Sequence, residues 1–125
     1  MKLGDIYYWN TEKVAGRDSR FKYHLFICEP VWPLDHAFLF INSTNYGGDY
    51  AIQKADYPFF TNDTSYVDVG GAICYSDQEL KDASPDRKGQ MSNTHLQNLF
   101  HWILESGKMP GREEKIVCNA LRSAF

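Results

Sequence analysis

The chain has 125 residues, 43% of them hydrophobic and 15% aromatic, with 13 basic side chains against 16 carboxylates and a net charge of −3. That is the length of one domain, 1–125, with enough apolar material for a core, which excludes a disordered tail. It also excludes a protein steered to duplex nucleic acid by its whole surface, because such a surface is basic; a local patch gripping a few phosphates stays open.

The opening stretch, MKLGDIYYWN, lacks the long apolar segment of a signal peptide, and no run approaches the ~20 apolar residues of a membrane helix. The expectation is a cytosolic protein with no membrane contact, in which the sequons at Asn42 and Asn62 carry no sugar. Residues 5–10 are aromatic and read as a strand, followed by a charged loop over 11–20. Residues 21–28 alternate loosely, placing Lys22, His24 and Phe26 on one face and Tyr23, Leu25 and Ile27 on the other. The continuous apolar run 37–43 predicts a strand buried on both faces. Shorter strands are predicted over 50–55 and 65–69, with Gly70-Gly71 marking a turn or bulge ahead of residues 72–74.

The period then changes. Residues 76–82 predict a short helix capped by Ser76, with Glu79 at the capping-box position. Residues 92–106 predict a longer helix, with Ser92 as cap, Gly107 as stop, and a buried stripe of Leu96, Leu99, Phe100, Ile103 and Leu104. A last helix over about 112–123 buries Ile116, Val117, Ala120 and Leu121. Strands first and helices later make the expected fold class α+β: a small barrel of about five to seven strands with C-terminal helices.

Metal chemistry finds no ligand spacing. His24 and Cys28 would lie about 13 Å apart on an extended strand, and His95 and His101 face different ways on their helix. No metal and no cofactor is expected. The cysteines, Cys28, Cys74 and Cys118, are odd in number, far apart and outside any disulfide or nucleophile signature. The charge is uneven: residues 11–24 carry a net +2, whereas 35–86 carry nine carboxylates against Lys54 and Lys81. The cations Arg17, Arg20 and Lys22, with His24, sit at the start of the second strand. They read either as a solvated mixed-charge loop or as an anion site. RNA cleavage by its own 2′-hydroxyl needs proton carriers and cations rather than a metal, and Arg, Lys, His and a hydroxyl supply them. Aromatics such as Tyr8, Tyr23, Phe60 and Tyr66 are candidate platforms for unpaired bases or, alternatively, core.

Five segments in serial order resemble the MazF/PemK toxin family. Gly4-Asp5-Ile6 resembles its opening GDI, KYHLFIC its RPVLVI strand, and FLFINST its apolar strand ending in Thr or Ser. SYVDVGGAICYSDQEL and GQMSNTHLQNLFHWI resemble its later strand and closing helix. The resemblance implies an SH3-like barrel, a homodimer, a cognate antitoxin as partner, and metal-independent cleavage of single-stranded RNA in a type II toxin–antitoxin system. The family's catalytic Arg falls at Lys22, with Tyr23 in place of the following Pro, and its Thr or Ser falls at Asn42 or Ser43 according to register. The expected catalytic residues are Lys22, His24 as proton carrier and Ser43 as hydroxyl donor, with Arg17, Arg20 and Asn42 binding substrate. That expectation extends to a diverged relative of such a nuclease; the alternative is a non-catalytic interaction module on the same barrel, docking a basic partner through the acidic 35–86 region.

Overall fold

The computed structural model describes residues 1–16 and 18–125. Its strands are β1 (Asp5–Thr11), β2 (Arg20–Cys28), β3 (His36–Asn42), β4 (Tyr50–Gln53), β5 (Thr64–Val67), β6 (Ile73–Tyr75) and β7 (Asp86–Gln90). The helices are α1 (Asp77–Ala83), α2 (Asn93–Ser106) and α3 (Gly111–Leu121), with a closing 3-10 turn over Arg122–Ala124. The strands form one curled antiparallel sheet, an open half-barrel ordered β4-β5-β3-β2-β1-β7, and β6 also pairs with β3. The α+β class and the C-terminal helices are therefore as expected. No helix among the described residues is long and apolar enough to cross a membrane.

β3 holds the sheet together, and every one of its residues is buried, which is what its unbroken apolar run requires. One face, with Ile6, Leu25, Leu39, Ile41 and Val67, packs under α2 and α3 in the main core. The opposite face carries a second, aromatic cluster of Tyr7, Trp9, Phe26, Phe38 and Tyr75, against which Leu80 and Ala83 of α1 pack. Capping follows the sequence. Ser76 and Glu79 form a reciprocal capping box on α1, Ser92 accepts from the His95 amide, and Gly107 closes α2 at φ 63°.

Three expectations need correcting. Leu104 does not join the buried stripe of α2; it is exposed, because that stripe narrows to Leu96, Leu99, Phe100 and Ile103. In α3 the buried residues are Val117, Cys118 and Leu121, while Ile116 and Ala120 are only half-buried. Residues 83–91, to which the sequence pattern assigns no element, contain β7. Its charged sequence, DRKGQ, has little strand propensity of its own. It is held as a strand by pairing with β1 and by Arg87, which reaches the buried Asp5 carboxylate at 3.2 Å.

Candidate functional site

Antiparallel pairing of β2 with β3, with Tyr23 opposite Ile41, sets the start of β2 beside the end of β3. Arg20, Phe21 and Lys22 thus meet Asn42 and Ser43. Tyr8 of β1, Ser65 of β5 and Phe60, Thr61 and Asn62 of the β4–β5 connection complete a cleft of about 240 Å³. Four of the residues singled out from sequence therefore share one site: Arg20, Lys22, Asn42 and Ser43. Arg17 lies outside the described residues. His24 is not brought to this cleft.

Lys22 contributes to the cleft rim, and its ammonium turns to the face of β2 that His24 shares, donating to the Asn42 side-chain carbonyl and lying 5.3 Å from the centroid of the Phe40 ring. Asn42 is buried and Ser43, next to it, is exposed, so the amide steadies the cation and the hydroxyl faces solvent. Asp68, just beyond β5, is half-buried; burial raises its carboxyl pKa, and Lys22 acts against that rise. Aromatic rings make the other wall. Tyr8 stacks with Phe21 at 5.3 Å and lies 4.4 Å from Tyr23, whose ring meets Phe60 edge-on at 4.8 Å. Tyr23 is pinned by its hydroxyl donating to the Phe59 carbonyl at 3.1 Å. Burial, and then the neighbouring Tyr8, push the Tyr23 phenol up, so it stays a neutral donor. No carboxylate is among the lining residues described, although the whole chain is acidic. Two cations, two amides, hydroxyls and π-faces in one groove suit an anion that carries rings.

His24 occupies the same face of β2 as Lys22, as alternation predicts, but one step deeper. It has no exposed surface, and its ring stacks on Trp9 at 3.5 Å between Phe38 and Phe40. Its protons are fixed by its partners. The Lys22 carbonyl, 3.0 Å from Nδ1, can only accept, so Nδ1 carries the hydrogen and Nε2 accepts from the Tyr75 hydroxyl at 2.8 Å. Tyr75 Oη in turn accepts from Thr11 Oγ1 at 2.7 Å, and Thr11 Oγ1 accepts from the Lys13 amide. Burial pushes His24 down to about 3 and Tyr75 up to about 12. The ring is therefore a neutral member of a buried hydrogen-bond chain, shut off from any molecule in the cleft. The proton-carrier role read for it has no geometric support here.

The carboxylates of 35–86 are largely engaged within the chain. Asp49 is buried and accepts from the Tyr46 and Val69 amides, Asp68 accepts from Gly70, and Asp77 meets His36 at 2.5 Å. Glu79 caps α1 and pairs with Lys13 at 3.0 Å, and Asp86 pairs with Lys88 at 2.8 Å. Their chemistry is mostly local capping and turn formation. In the tract 56–67 the aromatics Tyr57 and Phe60 are buried. All three cysteines are free thiols whose burial raises their pKa, the reverse of what a thiolate nucleophile needs. Sequence reading did not single out Phe21 or Thr61. A ragged strand start gives no signal of which residues overhang the last layer of core. No family model, curated protein or solved structure matches the chain.

Proposed function

We propose that this protein is an SH3-like barrel of the MazF/PemK type that binds single-stranded RNA in the Lys22 cleft and cleaves it without a metal. The observation that carries the reading is the grouping of Arg20 and Lys22 with Asn42, Ser43 and an aromatic wall in one groove free of lining carboxylates. It sits where the serial resemblance to that family puts the catalytic strand ends. In the reaction, the ribose 2′-oxygen attacks the adjacent phosphorus and the P–O5′ bond breaks. The products are a 2′,3′-cyclic phosphate and a 5′-hydroxyl. Negative charge grows on the non-bridging oxygens, and preorganised cations and donors stabilise it most where water is excluded.

Lys22, steadied by Asn42, and Arg20 take the phosphate charge, and the exposed Ser43 hydroxyl donates to a non-bridging oxygen. In this reading Lys22 also protonates O5′, while solvent takes the 2′-proton because His24 is sealed off. Lysine offers a point charge where the family has the planar fork of arginine, so phosphate is gripped at one place rather than two. The same reading includes a homodimer and a cognate antitoxin.

The test is a long unstructured RNA incubated with the protein in EDTA, beside Lys22→Ala. Cleavage by the native chain alone, leaving 2′,3′-cyclic phosphate ends, is the expected result. A folded native protein that leaves the RNA intact would falsify the nuclease reading.

A further inference from the structure

Trp32 stands almost wholly in water, 87% exposed, on the turn that joins β2 to β3. The turn is ordered. Val31 and Leu34 pair as an isolated bridge, the Leu34 amide donates to the Val31 carbonyl at 2.8 Å, and Leu34 packs inward on the main core. Val31 and Pro33, on either side of the indole, are exposed as well. A lone exposed apolar side chain is ordinary on a protein surface, but an indole held out on a closed turn between two further apolar residues is a knob. Its base is acidic: Glu29 and Asp35 flank the turn and are exposed, and Asp77 reaches His36 beside them.

The helical side of the molecule carries a matching hollow. A groove of about 610 Å³ opens between α3 and the end of α2, with Leu104 and Ile116 in its apolar lining and Lys115 and Arg122 outweighing Glu114 among its charges. Leu104 and Ile116 are positions that helical periodicity turns inward and that the single chain leaves exposed or half-exposed. The α3 helix packs against β2, and its Glu113 accepts from the Ala72 amide just ahead of β6, the strand that pairs with the start of β3. The first turn of α3 therefore stands at the same end of the sheet as the knob. We propose that the groove receives the Trp32 knob of a second copy of this chain, and that the exchange is reciprocal. Each indole lies over Leu104 and Ile116 of the other copy, with Glu29 and Asp35 facing Lys115 and Arg122 across the rim. Reciprocal exchange about a two-fold axis closes at two copies, whereas one-way insertion grows into a chain. An aromatic anchor in a pocket ringed by opposite charge is the form in which interfaces concentrate affinity and choose partners. The inference goes beyond the RNA reading: it gives the homodimer of that reading a surface and does not depend on chemistry at Lys22.

Sedimentation equilibrium of the full chain, from micromolar to millimolar protein, reads the association. The native protein is expected to dimerise. Trp32→Ala and Leu104→Asp replace exposed side chains and leave the core in place; each is expected to raise the dimer dissociation constant about 30-fold or more. Charge variants add a test that damage to the fold cannot imitate. A chain with Glu29→Lys and Asp35→Lys has a basic knob and a basic groove, and one with Lys115→Glu and Arg122→Glu has an acidic knob and an acidic groove. Each, folded by circular dichroism, is expected to be monomeric alone. Their equimolar mixture is expected to recover dimers, because both contacts of the mixed pair then join opposite charges. A native chain that stays monomeric throughout overturns the proposal. So does a dimer indifferent to Trp32→Ala and Leu104→Asp, a mixture of the folded charge variants that stays monomeric, or assembly that keeps growing past two copies. None of these outcomes decides RNA cleavage, which is read separately in EDTA.

Discussion

Folding strips His24 of water and gives it two neutral partners, so a proton added in place would set a charge beside the Trp9 face and point a donor at the Tyr75 hydroxyl. The sign of the resulting pH dependence is fixed. The unfolded imidazole titrates near 6.5 and the folded one at about 3. Within that window the unfolded chain binds a proton that the native state refuses. Stability from this group is full above pH 6.5 and falls as pH drops toward 3, at most by about 1.4 kcal/mol per pH unit. Urea midpoints measured from pH 7.5 to 4.5 should show it. His24→Phe keeps an aromatic ring against Trp9 but has no titration, so it should start less stable at pH 7.5 and lose less on acidification; equal slopes for the two proteins would refute the account. Much of this residue was legible beforehand, since alternation put Lys22, His24 and Phe26 on one face. Depth was not legible. Two residues along a strand are only ~6.6 Å, yet that distance separates a cleft cation from a ring with no exposed surface. What covers the ring, Trp9 and Tyr75, arrives from elsewhere in the chain.

Among the elements, β7 shows how much can hang on one glycine. A Cβ on Gly89 would lie 2.8 Å from Cε2 of Phe59, closer than such contacts occur. Phe59 is the residue whose carbonyl anchors Tyr23 beside the cleft. Gly89→Ala should therefore cost about 1–3 kcal/mol through overpacking, read from urea unfolding, and, on the proposed reading of the cleft, should loosen RNA binding as Tyr23 shifts. In a Phe59→Ala background the added methyl meets no ring and the further cost should vanish, a coupling that a double-mutant cycle measures directly. A cost unchanged by Phe59→Ala would place the strain elsewhere. Elements whose residues carry their own instructions were readable from sequence. The run 37–43 announced a strand buried on both sides, and Ser76 with Glu79 announced a capped helix. β7 carries no such instruction. Its strand state comes from β1 and from the Arg87–Asp5 pair, 82 positions apart in sequence, which no local pattern encodes. Leu104 fails for a related reason: a helical stripe predicts a facing direction, and only packing decides where the stripe ends.

For the molecule as a whole, a net charge of −3 means that, on the proposed RNA reading, attraction of the strand would fall to the cleft rather than to the surface at large. Binding through Arg20 and Lys22 should weaken with salt only gently. The slope of log K against log salt should be about −1.4 for two phosphate contacts on a single strand and about −0.7 after Lys22→Ala. Titrations between 50 and 300 mM KCl decide the matter, and a much steeper native slope would show that cations outside the described cleft take part. The two rims of the sheet carry one further consequence. At one end β4 is four residues long; at the other, β7 leaves the charged Asp86, Arg87 and Lys88 exposed. A short strand and a charged one both make poor templates for a strand from another molecule. β6, paired with β3 alone, is only three residues long, so each of these edges offers a short or charged ladder to a strand from another molecule and disfavours edge-to-edge growth when the protein is crowded.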